Sequence, residues 1–83
     1  MKAVRYTTDA IRDLRRYGNM TARIRGALGD YARDGRSHVN NVTRLVGSSA
    51  SRLRVGDFRV IFEEGATELL VTKIGPRGDV YDG

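Results

Sequence analysis

The chain has 83 residues, a formal net charge of +5 and no cysteine. At this length a single domain spanning residues 1–83 is expected, burying only about 60% of its unfolded surface. Lack of cysteine excludes disulfides, thiolate metal sites and cysteine nucleophiles, and no apolar run reaches the length of a signal peptide or membrane span, so a cytoplasmic protein without membrane contact is expected.

The positive charge is of one kind and unevenly placed. There are thirteen arginines against two lysines. Arginine grips phosphate bidentately and stacks on bases, whereas lysine is mainly a point charge. Residues 1–49 hold ten basic and four acidic residues, and residues 50–83 hold five and six. Arginines of the second part therefore stand in a locally balanced background. A polyanionic partner, nucleic acid or an acidic protein, fits this distribution better than a uniformly solvated basic surface.

In chain order, Lys2 to Tyr6 reads as a short strand. Thr7-Thr8 offers an N-cap and Asp9 a carboxylate in the first turn. Ala10, Ile11, Leu14 and Tyr17 form the apolar stripe of a helix that should end at Gly18. A second helix should begin near Asn19 or Thr21, because Met20, Ile24, Ala27, Leu28 and Tyr31 follow helical spacing. Gly26 and Gly29 weaken that helix by about 1 kcal/mol each relative to alanine, unless they let two helices approach closely. Asp34-Gly35 ends it. After a polar loop, Thr43 to Val46 is a strand candidate closed by Gly47-Ser48-Ser49.

The sharpest pattern is Ser51-Arg-Leu-Arg-Val-Gly-Asp-Phe-Arg-Val-Ile-Phe62. Arginine and apolar residues alternate on both sides of Gly56-Asp57, which predicts a hairpin with a two-residue turn. Val55 then faces Phe58, Arg54 faces Arg59, Leu53 faces Val60 and Arg52 faces Ile61. One face carries Leu53, Val55, Phe58, Val60 and Phe62 as core; the other gathers Arg52, Arg54 and Arg59. Like charges directly opposed in an antiparallel pair are destabilising, so an anion is expected to complete the arginine face. Glu68 to Ile74 is a further, central strand, with Leu69 and Val71 on the core face and Leu70, Thr72 and Ile74 on the arginine face. Gly75-Pro76 breaks it, and Arg77 should lie beside Arg59. The expected class is α+β, in the order β-α-α-β-β-β, with a two-helix hairpin packed on a small antiparallel sheet.

Arg52, Arg54, Arg59 and Arg77 form the leading constellation: clustered guanidiniums can hold a phosphodiester and stabilise the added charge of a pentacoordinate phosphorane. The plain alternative is a basic sheet face paired with Asp57, Glu63 and Glu68. Tyr81 either packs on the sheet, stacks on a base or exchanges a proton. His38, the only histidine, reads as a surface residue without partners for a metal site. Asp9 and Asp13 stand four residues apart on a helix among arginines, so ion pairing accounts for them. Gly26 and Gly29 do not make a phosphate-cradling loop, and no cofactor or metal is expected.

Leu45-Val-Gly47, the Ser51–Phe62 run, Ile74-Gly-Pro-Arg77 and Asp79-Val-Tyr81 together resemble the RelE/ParE superfamily of bacterial toxins from type II toxin–antitoxin systems. The resemblance covers nearly the whole chain. Its RelE branch implies a metal-independent endoribonuclease that enters the ribosomal A site and cuts bound mRNA through attack by the RNA's own 2′-OH. On that resemblance Arg54 and Arg59 stabilise the phosphorane, Arg77 serves the leaving oxygen, Tyr81 acts as base or stacking platform, and Arg52 binds the backbone. Three positions depart from the branch. Val46 stands where it has arginine, and arginines replace the strand lysines, although arginine cannot act as a general base. The ParE branch implies instead a binding protein that poisons DNA gyrase. Either branch implies a cognate antitoxin, expected over the Thr7–Asp34 helices and the sheet edge.

Overall fold

The computed structural model of the chain describes residues 1–38 and 41–78. Strand β1 (Ala3–Tyr6) leads into helices α1 (Thr8–Arg16) and α2 (Thr21–Arg33), followed by strands β2 (Val42–Arg44), β3 (Ala50–Val55), β4 (Phe58–Glu64) and β5 (Glu68–Pro76). The five strands form one sheet in the order β1-β5-β4-β3-β2. Both helices lie on one face of it, which is the expected α+β layer. The sheet is mixed rather than wholly antiparallel, because β1 runs parallel to β5 while the other pairs are antiparallel. Side-chain alternation reveals which face a residue occupies but not the direction of its neighbour, so this pairing was not readable from the strand itself.

Thr7 caps α1, its Oγ1 accepting from the Ala10 N–H at 3.2 Å. The helix stops at Arg16 with Tyr17 as its cap, and Gly18–Met20 forms a 3₁₀ turn in place of the glycine cap expected at Gly18. Thr21 Oγ1 donates to the Leu14 carbonyl at 3.0 Å, binding the start of α2 to the last turn of α1. Ala10, Leu14, Ile24, Ala27, Leu28 and Ala32 pack against Leu53, Val55, Val60, Phe62, Leu69, Val71 and Ile74 as one core. Ile11, expected inside, is 41% exposed, and Asp13 takes the inward position instead. The helical glycines are not contact points. A Cβ at Gly26 would meet nothing within 4 Å, and one at Gly29 would meet only the Arg33 side chain at 3.7 Å.

Register in the β3–β4 hairpin is as the sequence predicts, with Val55 opposite Phe58, Arg54 opposite Arg59, Leu53 opposite Val60 and Arg52 opposite Ile61. Gly56 has φ +59 and Asp57 does not share the left-handed region, the pattern of a type II′ turn. The β4–β5 ladder differs from simple alternation. Phe62 faces Val71 but Ile61 faces Lys73, so Thr72 is an extra residue, a β-bulge whose Oγ1 donates to the Ile61 carbonyl at 3.3 Å. Beyond the bulge the faces are counted anew. Ile74 therefore pairs with Val60 in the core, 1% exposed, rather than joining the arginine face. β5 also continues through Gly75 and Pro76, which pair with Arg59 and Phe58.

Candidate anion-binding site

The face of the sheet opposite the helices is set by the hairpin. Because Arg54 and Arg59 are directly opposed and Arg52 lies two residues along β3, alternation sends all three side chains to the same side. Their close neighbours are decided by β2, which pairs Thr43 with Arg52 at the sheet's edge. Asn41, just before β2, accepts at Oδ1 from Arg54 Nη2 at 3.2 Å. The result is a small concavity of about 100 Å³ lined by Asn41, Thr43, Arg52, Arg54 and Arg59. That is roughly three times a water molecule's share of the liquid, room for a phosphate group but well short of the ~300 Å³ and more that whole small-molecule ligands occupy.

Electrostatics favour an anion there. Arg52 and Arg59 are half-buried and Arg54 is exposed, so their mutual repulsion is only partly screened. Two of the acidic residues that might have neutralised the patch are engaged elsewhere. Glu68 lies 3.7 Å from Arg5, and Glu63 accepts from Ser49 Oγ at 3.1 Å. Arg54 leans on a neutral amide, and Arg59 Nη1 donates to the Phe58 carbonyl at 3.4 Å. Arg54, fixed among the described residues by one neutral acceptor, still presents its remaining donors, which suits bidentate capture of a phosphate.

Of the residues singled out in the sequence, Arg52, Arg54 and Arg59 come together in this concavity. Arg77 follows β5 at the same end of the sheet as the hairpin turn, its N–H donating to the Asp57 carbonyl at 2.7 Å. Its side chain is exposed and does not line the pocket. Tyr81 lies outside the described residues. Val46 is 98% exposed in the β2–β3 turn, remote in register from the arginines. Asn41 and Thr43 escaped sequence reading; only the β2–β3 register, which no turn signal fixed, brings them to the site.

Asp13 was also misread. Asp9 does pair with Arg12 at 3.5 Å, but Asp13 turns inward, where Oδ2 accepts from the Ile74 N–H at 2.9 Å and Oδ1 lies 3.5 Å from Lys73 Nζ. It thereby holds the part of β5 that precedes Arg77. The available signal was its place in the apolar stripe of α1, between Ala10 and Leu14.

A scan of the sequence against family models and a search of curated proteins each found no match. Solved structures do match. A chain of the RelB–RelE antitoxin–toxin complex from Methanococcus jannaschii superposes with a TM-score of 0.74 at 17% identity, covering 94% of this chain and 95% of that one. One from the archaeal RelE–RelB complex of Pyrococcus horikoshii gives 0.76 at 20% identity, covering 95% and 98%. One from the toxin–antitoxin complex RelBE2 of Mycobacterium tuberculosis gives 0.60 at 23% identity, covering 92% and 98%. The fold is that of RelE toxins.

Proposed function

We propose that the protein is the toxin of a toxin–antitoxin pair and that it cuts mRNA on the ribosome. The observation that carries this reading is the phosphate-sized pocket of Arg52, Arg54 and Arg59 on the helix-free face of a RelE-type fold. Cleavage uses the message's own 2′-OH. Its oxygen forms a bond to the adjacent phosphorus, the P–O5′ bond breaks, and the products are a cyclic phosphate and a free 5′-hydroxyl. The phosphorane between them carries one more negative charge than the diester. Arg54 and Arg59, on opposed positions of two strands, stabilise that added charge, and Arg52 holds the incoming backbone. Arg77, on the exposed end of β5, serves the departing oxygen. A guanidinium cannot accept the 2′-OH proton, so that role falls to Tyr81 or to water, and water returns a proton to the departing O5′, whose charge Arg77 offsets meanwhile.

The antitoxin is the second component. The structural relatives were solved as complexes of RelE with RelB, and α1 exposes Ile11 in a concavity that Arg15 and Arg25 also line, an apolar anchor beside cations. An antitoxin helix with an apolar stripe and an acidic segment fits that surface, together with the sheet edge. Among the described residues no helix is long and apolar enough to cross a membrane, and action on ribosomes gives a cytoplasmic location.

The test is in vitro translation with added protein, read by primer extension on the message. Wild type should produce cuts only on translated mRNA. Arg59→Ala should slow them by about a hundredfold or more, the usual effect of deleting one donor to a developing oxyanion. Tyr81→Phe should also slow them. An intact message, with cleaved plasmid accumulating in a gyrase supercoiling assay, would replace this reading with the ParE-like one, in which the arginine face binds gyrase.

A further inference from the structure

The phosphate pocket does not end at Arg54. A second concavity of about 250 Å³ adjoins it, sharing Arg54 and Asn41 and bounded beyond them by Arg23, His38 and the hairpin turn at Gly56. Arg23 stands on the exposed side of α2 and reaches across to the turn. A Cβ built on Gly56 would lie 3.2 Å from Arg23 Nη2, so the absent side chain is what lets the guanidinium rest against the turn. Among the described residues no hydrogen bond or ion pair engages Arg23. Asp30, about two helical turns away along α2, is already shared by Arg33 and His38. Asp57, next to Gly56, lines neither concavity.

We propose that Arg23, with Arg54 and Asn41, binds a second phosphate, the neighbour of the one held by Arg52, Arg54 and Arg59, so that a single RNA strand is gripped across two consecutive diesters. The inference rests on the RNA-cleaving function proposed above and specifies how far along the strand the protein holds it. Arg54 stands at the junction and contacts both phosphates. Among the described residues neither concavity is lined by Phe, Tyr or Trp, and His38 is the one ring at the second. The grip by Arg23, Arg52, Arg54 and Arg59 is on the sugar–phosphate backbone, and such phosphate contacts carry no base preference.

The test uses 2′-O-methyl oligoribonucleotides, which cannot attack their own phosphates, as a dinucleotide with one diester and a trinucleotide with two. Binding is followed by fluorescence anisotropy at several salt concentrations. Wild type should bind the trinucleotide about tenfold more tightly than the dinucleotide, as expected for one added charge-assisted phosphate contact. Arg23→Ala should bring that ratio close to one and reduce the logarithmic salt slope for the trinucleotide by about 0.7, one phosphate's share on a single strand. Arg23→Lys, which keeps the charge, should restore the slope. A ratio that Arg23→Ala leaves at the wild-type value overturns the second site. Dinucleotide affinity that survives Arg59→Ala overturns the first site instead, so the two failures are distinguishable. Wild-type protein that binds neither oligonucleotide overturns both.

Discussion

Asp13 shows how a single side chain can serve a site it never touches. β1 pairs with β5 only from Glu68 to Val71; beyond that point the outward N–H of Ile74 has no strand to meet. Asp13, 8% exposed on the inner side of α1, supplies the acceptor, and Lys73 offsets its charge. Removing the carboxylate strands a buried donor, which costs about 1–3 kcal/mol. Asp13→Ala should therefore lower the urea midpoint by an amount equivalent to about 2 kcal/mol, with the slope of the transition unchanged. Asp13→Asn retains an oxygen acceptor and should lose about half as much. If Asp13→Ala unfolds at the wild-type midpoint, the bond to Ile74 is not holding β5. Among the arginines of α1, Asp13 reads as one partner of a surface ion pair. Its inward turn depends on where β1 stops, which the helix sequence does not contain.

At the scale of elements, two glycines with the same side chain have opposite meanings. Gly56 occupies φ +59 in the turn on which the whole arginine register depends. Alanine there is strained by about 1–2 kcal/mol and would press on Arg23 as well. Gly26 sits mid-helix in α2 with open space where its Cβ would be. Gly26→Ala should raise stability by about 1 kcal/mol. Thermal denaturation of both variants checks the pair: the midpoints should move in opposite directions, and a fall for Gly26→Ala would mean that α2 needs the glycine for contact with a partner. The hairpin was legible because its pattern is local, with alternation of period two and a turn dipeptide that fixes the offset. The β4–β5 pairing was not, since the bulge at Thr72 leaves no mark in composition. A count of two carried past it puts Ile74 on the wrong face. The same limit explains the site: Arg52, Arg54 and Arg59 belong to one hairpin and were readable, whereas Asn41 and Thr43 arrive through the separate β2–β3 pairing.

Across the whole molecule, the segments before β1, within α2 and at the end of β4 are distant in sequence and meet at Glu64. Its Oε1 accepts from the Tyr31 hydroxyl at 2.8 Å and its Oε2 from Lys2 Nζ at 2.6 Å. Tyr31 also meets Phe62 edge to face, ring centroids 5.6 Å apart, so the polar cluster stands directly over the core. Burial alone would raise the Glu64 carboxyl, but the hydrogen bonds from Lys2 and Tyr31 and the charge of Lys2 outweigh it and hold the pKa below its usual 4.5. For Tyr31, burial, the bond to Glu64 and the carboxylate charge all act in one direction, pushing the phenol from 10.0 up to about 12. Below pH 4.5 the unfolded chain therefore takes up a proton at Glu64 that the folded chain resists, and stability falls as the solution is acidified. Above pH 10 the unfolded chain releases a phenolic proton that the folded chain retains, and stability falls again. Glu64 and its partners are substantially solvated, so each limb should amount to about 0.5–1 kcal/mol rather than the value of a buried pair. Urea denaturation from pH 3 to pH 11 should give a plateau with two shoulders. Glu64→Gln should flatten the acid shoulder and Tyr31→Phe should reduce the alkaline one, to which the Tyr6 phenol, also raised by burial, contributes, each leaving the arginine pocket intact. Shoulders of wild-type size in both variants would show that these three segments are fastened by the core alone and that the cluster above Phe62 contributes nothing to folding.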